Sequence, residues 1–411
     1  METILPKYAD YSVLAQKMAY HTTYSESFQI HPMLQKIFKN PLITIKDGKM
    51  RARARELGLE IGMLPHGSKN AISDIKGVKV GHCSIVRGEG KLIPGKGPVR
   101  TGVTAVMPHP RNIYKEKVPA ASFVMNGYGK SIGLIQVEEF GVLETPILLT
   151  STLCTWKAAD ALVQYMLDQN EDIGVTTGSV NPVVMECNDS YLNDLRGRHV
   201  GADHVMKALE KASETFELGS VGAGTGMVAF EFKGGIGTSS RVVEVGREEF
   251  TIGSLVLSNF GKREDLTING IRIGFMLKEY GHRKLRNVKG SIIMLLATDA
   301  PLLYRQLKRL AKRAIIGLAR TGGRSYNGSG DKVLAFSTNY TISHYGKERL
   351  KVEVLKDASL NPLFAAAAEA TEEAIIDSLF TAETMVGRDN HVVDALPTEK
   401  VVELLNSIKA P

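Results

Sequence analysis

Lys289-Gly290-Ser291-Ile292-Ile293-Met294-Leu295-Leu296-Ala297-Thr298-Asp299 is the stretch on which the reading of this chain turns. After Ser291 the run is apolar without a break as far as Ala297, and its first two residues are β-branched, the pattern of a short strand buried on both faces. The preceding segment, 279–289, is basic and has no hydrophobic period, which reads as a surface loop. Ser291 therefore stands where a loop enters the core, and Gly290 leaves the backbone before it free to take a strained conformation. A serine hydroxyl held there can attack the carbonyl of Gly290, break the chain and emerge as a new N-terminus. Its freed α-amine, with a pKa of about 8, would suit a general base for the hydroxyl beside it. An ordinary strand start explains the same residues.

Composition narrows the classes. A chain of 411 residues has room for one large domain or two ordinary ones. Its 43% hydrophobic and 23% charged content is that of a soluble globular protein. No uncharged apolar run reaches roughly 18 residues, so no membrane span is expected. Met1-Glu2-Thr3-Ile4-Leu5-Pro6-Lys7 lacks the charged and apolar regions of a signal peptide. Cys83, Cys154 and Cys187 are odd in number and far apart, which argues for a reducing, cytoplasmic setting and against a zinc site. The net charge of +7 is small and spread along the chain, which argues against a nucleic-acid partner.

Outward from the central run, residues 1–50 hold no motif tied to chemistry. Segments 15–19 and 33–38 are predicted as short helices and Asp47-Gly48 as a turn. Alternation over 75–80 predicts strands joined at Lys76-Gly77, and 101–108, 120–125 and 144–150 read as further strands. Helices are predicted over 156–167 and 205–216. His82 is read as a hydrogen-bonded structural histidine, because no Ser-Asp pair is placed to complete a triad with it. The pair Glu138-Glu139 reads as a solvated face.

An apolar strand, Val183-Val184-Met185-Glu186-Cys187, runs into the polar turn Asn188-Asp189-Ser190-Tyr191. A tyrosine on such a turn can offer its phenolic proton to a developing oxyanion, although an Asx-rich turn needs no such role. The run Gly219-Ser220-Val221-Gly222-Ala223-Gly224-Thr225-Gly226 looks like a phosphate loop but lacks its Lys-Ser/Thr. It also precedes a predicted strand (227–232) instead of opening a helix, so a nucleotide site is not expected. The strand predicted over 250–261 contains a second Gly-Ser, Gly253-Ser254, where cleavage would disrupt pairing. Asn259 ends that strand and alone reads as a turn former before Gly261. Pro301 is predicted to open a helix reaching Arg320, and a long helix is predicted over 362–385. Glu372, Glu373 and Glu383 read as surface or buried-pair residues. Strands and helices in clumps predict an α+β fold.

Gly290-Ser291-Ile292-Ile293 with Ala297-Thr298-Asp299-Ala300-Pro301-Leu302 resembles the start of the β subunit in the DmpA/BapA family of self-cleaving serine aminopeptidases. Asn327-Gly328-Ser329-Gly330-Asp331 is similar to the loop that faces the nucleophile there. Asn126-Gly127-Tyr128-Gly129-Lys130 resembles an Asn-Gly-Asn-Gly-Glu turn with Tyr and Lys at two positions, and Gly387-Arg388-Asp389-Asn390-His391 closes a likeness that begins near Arg51. The resemblance implies a four-layered α/β/β/α sandwich, similar to the N-terminal-nucleophile hydrolases and shared with the ornithine acetyltransferases. It implies an N-terminal extension over 1–50 and one peptidase domain over 51–411, processed into chains 1–290 and 291–411. By match, Ser291 is the nucleophile, Asn259 and Tyr191 hold the oxyanion, Ser329 bonds near the attacking group, and Asp331 supplies a carboxylate where the β-aminopeptidase branch has Glu. The substrates implied are short peptides, amino-acid amides or esters, with no cofactor, no metal, no nucleic acid and no membrane. The assembly implied is a homo-oligomer, a tetramer of αβ heterodimers. The alternatives are an acyltransferase of the ornithine acetyltransferase type, against which Ser in place of Thr speaks, and an uncleaved binding protein on the same scaffold.

Overall fold

The computed structural model describes residues 44–46, 49–281, 290–346 and 348–409. The helices expected over 15–19 and 33–38, the turn at Asp47-Gly48 and most of the loop expected over 279–289 lie outside the described residues. Two compact units are present, one made of the described residues up to Leu59 with those from Pro397, the other of Glu60–Leu396.

In the larger unit the main strands, in chain order, are β1 (Lys79–Arg87), β2 (Val99–Met107), β3 (Glu116–Gly127), β4 (Ile147–Ser151), β5 (Val183–Cys187), β6 (Gly235–Val245), β7 (Glu248–Asn259), β8 (Ser291–Thr298) and β9 (Gly330–Ser337). Its helices are α1 (Leu134–Phe140), α2 (Thr155–Gln169), α3 (Ala202–Glu210), α4 (Tyr304–Arg320) and α5 (Asn361–Phe380). One sheet runs β6-β7-β8-β9-β3, extended at β3 by two short strands, and the other runs β1-β2-β4-β5. Each holds one parallel pair among these strands, β8 with β9 and β4 with β5. A parallel pair needs a crossover, and α4 and α2 lie in those two connections. In the smaller unit Thr44–Lys46 pairs with Lys49–Arg51, and a helix α6 covers Thr398–Lys409.

Period-two alternation makes the layers. Ile293 and Leu295 of β8, Leu255 and Leu257 of β7 and Leu334 and Phe336 of β9 meet Val80, Val106, Ile147, Leu149 and Met185 of the other sheet in one inter-sheet core. Leu148 and Val184 turn the other way, against Ala158 and Leu162 of α2 and Val205 and Leu209 of α3. Helices α4 and α5 pack against each other and over the larger sheet. The fold is thus the α/β/β/α sandwich, with β8 buried along its whole length. Arg241, fully buried, reaches Glu373 at 2.6 Å and Glu369 at 3.2 Å, and Glu372 pairs with Arg320 at 3.2 Å, as the buried-pair reading expects.

Several predicted bounds shift for tertiary reasons. Where strands joined at Lys76-Gly77 were expected only β1 forms, because Ile72–Asp74 makes a 3₁₀ turn in which Asp74 accepts the N–H groups of Lys69 and Ala71. Helix α3 stops at Glu210, since Ser213 exchanges backbone bonds of 2.9 and 3.0 Å with Val80. The strand expected over 227–232 is a tight hairpin with Phe230 and Glu231 left-handed, held by the Phe230 N–H on the Phe260 carbonyl at 2.6 Å. Helix α4 begins at Tyr304, three residues beyond Pro301. Helix α5 ends at Phe380, and the Glu383 N–H is taken by Ser220 Oγ at 3.1 Å. Among the described residues no helix is long and apolar enough to cross a membrane. The three cysteines are free thiols.

Candidate active site

Ser291 is the first residue of β8, and pairing decides what surrounds it. Asn259, the last residue of β7, lies opposite it on one side and Gly330, the first of β9, on the other, with Gly127 of β3 beyond. Segments far apart in sequence thus converge at one end of one sheet. The Gly330 N–H donates to Ser291 Oγ at 3.1 Å. Alternation puts the Ser291 side chain on the inter-sheet face, the side of Ile293.

Gly290 is required for space, not for a left-handed conformation. A Cβ there would lie 2.3 Å from the Asn259 carbonyl oxygen and 2.4 Å from Phe260 Cα. Gly330 is similarly confined, with the Tyr128 carbonyl 2.4 Å from where its Cβ would stand. The Gly290–Ser291 peptide is therefore pressed against the end of β7. The rival Gly253-Ser254 lies inside β7, paired with both β6 and β8, as the sequence reading expects.

The Asn259 amide is fixed at both ends. Its Oδ1 accepts the Val228 N–H at 2.9 Å and its Nδ2 donates to the Asn188 carbonyl at 3.0 Å. One of the two N–H bonds on Nδ2 remains for another acceptor. Asn188 belongs to the polar turn after β5, whose Asp189 accepts from Thr101, Ser151 and Asn193. Tyr191, on the same turn, stacks on His391 with centroids 4.4 Å apart, and His391 Nδ1 bonds the Tyr191 carbonyl at 2.8 Å. The structure thus joins Asn259 to this turn through Asn188, a link that a backbone carbonyl makes and that no residue type in the sequence advertises.

Asp331 and Ser329 flank Gly330. Ser329 Oγ donates to Asp331 Oδ1 at 2.5 Å, so its hydroxyl is spent on the carboxylate, and the loop touches Ser291 through the Gly330 N–H instead. Burial pushes the Asp331 carboxyl above its usual value, against the pull of the Ser329 hydroxyl. A cavity of about 10 Å³, room for roughly one water, opens beside Gly290, Ser329 and Asp331 and is closed by Phe260, Leu318 and Tyr326. No histidine lines it.

His82 sits on β1 with Nδ1 2.9 Å from Thr104 Oγ1, and burial lowers its pKa to about 4, so it is neutral at pH 7. A folded His82→Ala protein is expected to retain any Ser291-dependent activity within a few-fold. A loss of several orders of magnitude, measured as kcat/KM, would mark a Ser-His mechanism instead.

A four-layered sandwich with a serine heading a central strand defines an N-terminal-nucleophile-hydrolase-like fold. The chain belongs to peptidase family S58, whose family model matches residues 70–393. The β-peptidyl aminopeptidase BapA of Sphingosinicella microcystinivorans is 40% identical over 372 residues, covering 87% of this chain and 92% of that protein. The PH0078 protein of Pyrococcus horikoshii OT3 is 60% identical, with a TM-score of 0.85 over 87% of this chain and all of that one. The L-aminopeptidase D-Ala-esterase/amidase of Ochrobactrum anthropi, described as a prototype of the serine aminopeptidases and a variant of the Ntn hydrolase fold, is 38% identical, with a TM-score of 0.80 over 87% of this chain and 98% of that one. This chain is accordingly a hydrolase of the S58 peptidases.

Proposed function

We propose that the chain cleaves itself between Gly290 and Ser291 and then acts as an aminopeptidase on short peptides, amides or esters, with Ser291 as its nucleophile. The observation that carries this reading is Ser291 at the head of β8, its hydroxyl accepting the Gly330 N–H and its neighbour Asn259 held by the Asn188 turn. In the intact chain Ser291 Oγ attacks the Gly290 carbonyl carbon. The C–N bond breaks as the C–O bond forms, giving an ester and a free Ser291 amine, and water hydrolyses the ester to leave a Gly290 carboxylate.

In the processed enzyme the Ser291 amine takes the hydroxyl proton while Oγ attacks the substrate's acyl carbon. The free Asn259 Nδ2–H is the donor for the tetrahedral oxyanion, a contribution of about 3 kcal/mol for such a donor, with Tyr191 as its expected second. The protonated amine returns its proton to the departing group. Water then hydrolyses the acyl-enzyme, and Asp331 with Ser329 sets the electrostatics at Gly330 beside the nucleophile.

Purified protein should resolve into fragments 1–290 and 291–411, with the shorter beginning Ser-Ile-Ile-Met. The processed protein should hydrolyse at least one of a panel of L-α-, D- and β-aminoacyl p-nitroanilides. A single 411-residue band that hydrolyses none of them overturns the proposal.

A further inference from the structure

Lys332 is the third residue of β9 and is only 4% exposed, yet its Nζ has no hydrogen-bond partner among the described residues. An unpaired buried amine is costly enough to require an explanation. Its place suggests one. Gly330, Lys332, Leu334 and Phe336 share one face of β9, and Leu334 and Phe336 put that face in the inter-sheet core with Ile293 and Cys187. Ser291 lies opposite Gly330 and points to the same face.

The lysine folds back along its strand toward that point. Its Nζ is 3.2 Å from where a Gly330 Cβ would stand and 2.3 Å from where a Gly129 Cβ would stand, so two glycines make room for it. Among the described residues none of the other titratable groups nearby makes a hydrogen bond or ion pair with it. Glu186 of β5 also reaches Gly129, but its Oε1 accepts the Lys130 N–H at 2.8 Å. The Cys187 thiol is held protonated by burial, and alternation turns Asp331 to the opposite face of the sheet. The rim of the same loop is cationic as well, since Lys130 stands where the resembling turn has Glu.

We propose that Lys332 is a specificity residue whose amine receives a carboxylate on the substrate's N-terminal residue, so that the enzyme favours peptides beginning with Asp or Glu. This rests on Ser291 being the residue that is acylated. An acyl group on Ser291 Oγ carries its side chain over the face where Lys332 lies, and a terminal carboxylate completes the ion pair that the protein leaves open. A neutral isostere leaves the amine unpaired and is rejected.

The experiment compares kcat/KM for the p-nitroanilides of Glu and its isostere Gln, with those of Ala and Leu alongside, on the processed wild-type enzyme and on Lys332→Met. The wild type is expected to prefer Glu over Gln by about tenfold or more, and the substitution to bring that ratio to one or below. Equal or faster hydrolysis of the Gln substrate by the wild type overturns the inference without recourse to the variant. So does a preference that survives in folded Lys332→Met. Hydrolysis of Ala and Leu substrates without a Glu preference refutes this inference alone, whereas failure on all four refutes it together with the peptidase reading on such substrates.

Discussion

Ser291→Ala is expected to remain a single uncleaved chain and to lose roughly 10⁴-fold or more of any peptidase activity, since removing a nucleophile removes the covalent route altogether. The substitution deletes one oxygen and the hydrogen bond it accepts from Gly330 at 3.1 Å, a net stability loss of about 1 kcal/mol. The strand around it, buried at every position and paired on both sides, remains. Loss of both cleavage and turnover with a cooperative melt close to wild type is therefore the expected signature. Denaturing electrophoresis, p-nitroanilide kinetics and a thermal melt read it together. A processed, active Ser291→Ala protein would place the nucleophile elsewhere.

Asp331→Asn is expected to separate activity from stability. The side chain is 1% exposed and burial raises its pKa, so the folded protein holds this carboxylate against its solvation preference. A group whose pKa rises on folding contributes stability that is full below its unfolded pKa and is lost as pH climbs through its folded pKa. At neutral pH the wild type thus carries a desolvation penalty that Asn does not. Turnover should fall by about 10²-fold or more if the carboxylate serves the nucleophile. Tm at pH 7 should hold or rise, and the gap between variant and wild type should shrink as acid protonates the wild-type carboxyl. Activity retained within a few-fold would make Asp331 a structural residue of the turn.

Much of the frame was legible because it depends on local pattern. The unbroken apolar run after Ser291 could only be a strand covered on both faces, and its two covers are the inter-sheet core and the helical layer. The amphipathic segments that became α2 and α4 were equally plain, with errors confined to their ends. Ends were misjudged where a distant group claimed the chain, as the Val80 backbone does at residue 213 and the Ser220 hydroxyl at residue 383. The hairpin at Phe230–Glu231 was missed because neither residue favours a left-handed backbone, and distant partners, the Phe260 carbonyl and the Arg263 guanidinium, hold that turn.

The sequence by itself determined most of the strands and helices, that Ser291 stands at the entrance to a strand buried on both faces, and, by its motifs, the family. The tertiary structure alone decided the company Ser291 keeps. Asn259 and Gly330 flank it through β-pairing register, Asn188 reaches Asn259 through a backbone carbonyl, and Lys332 shares its face without a partner. Alternation tells each strand which of its side chains share a face, but it is silent on which strand lies beside which. That choice belongs to the packing of two sheets into one core, where pairing brings together residues that no local pattern connects.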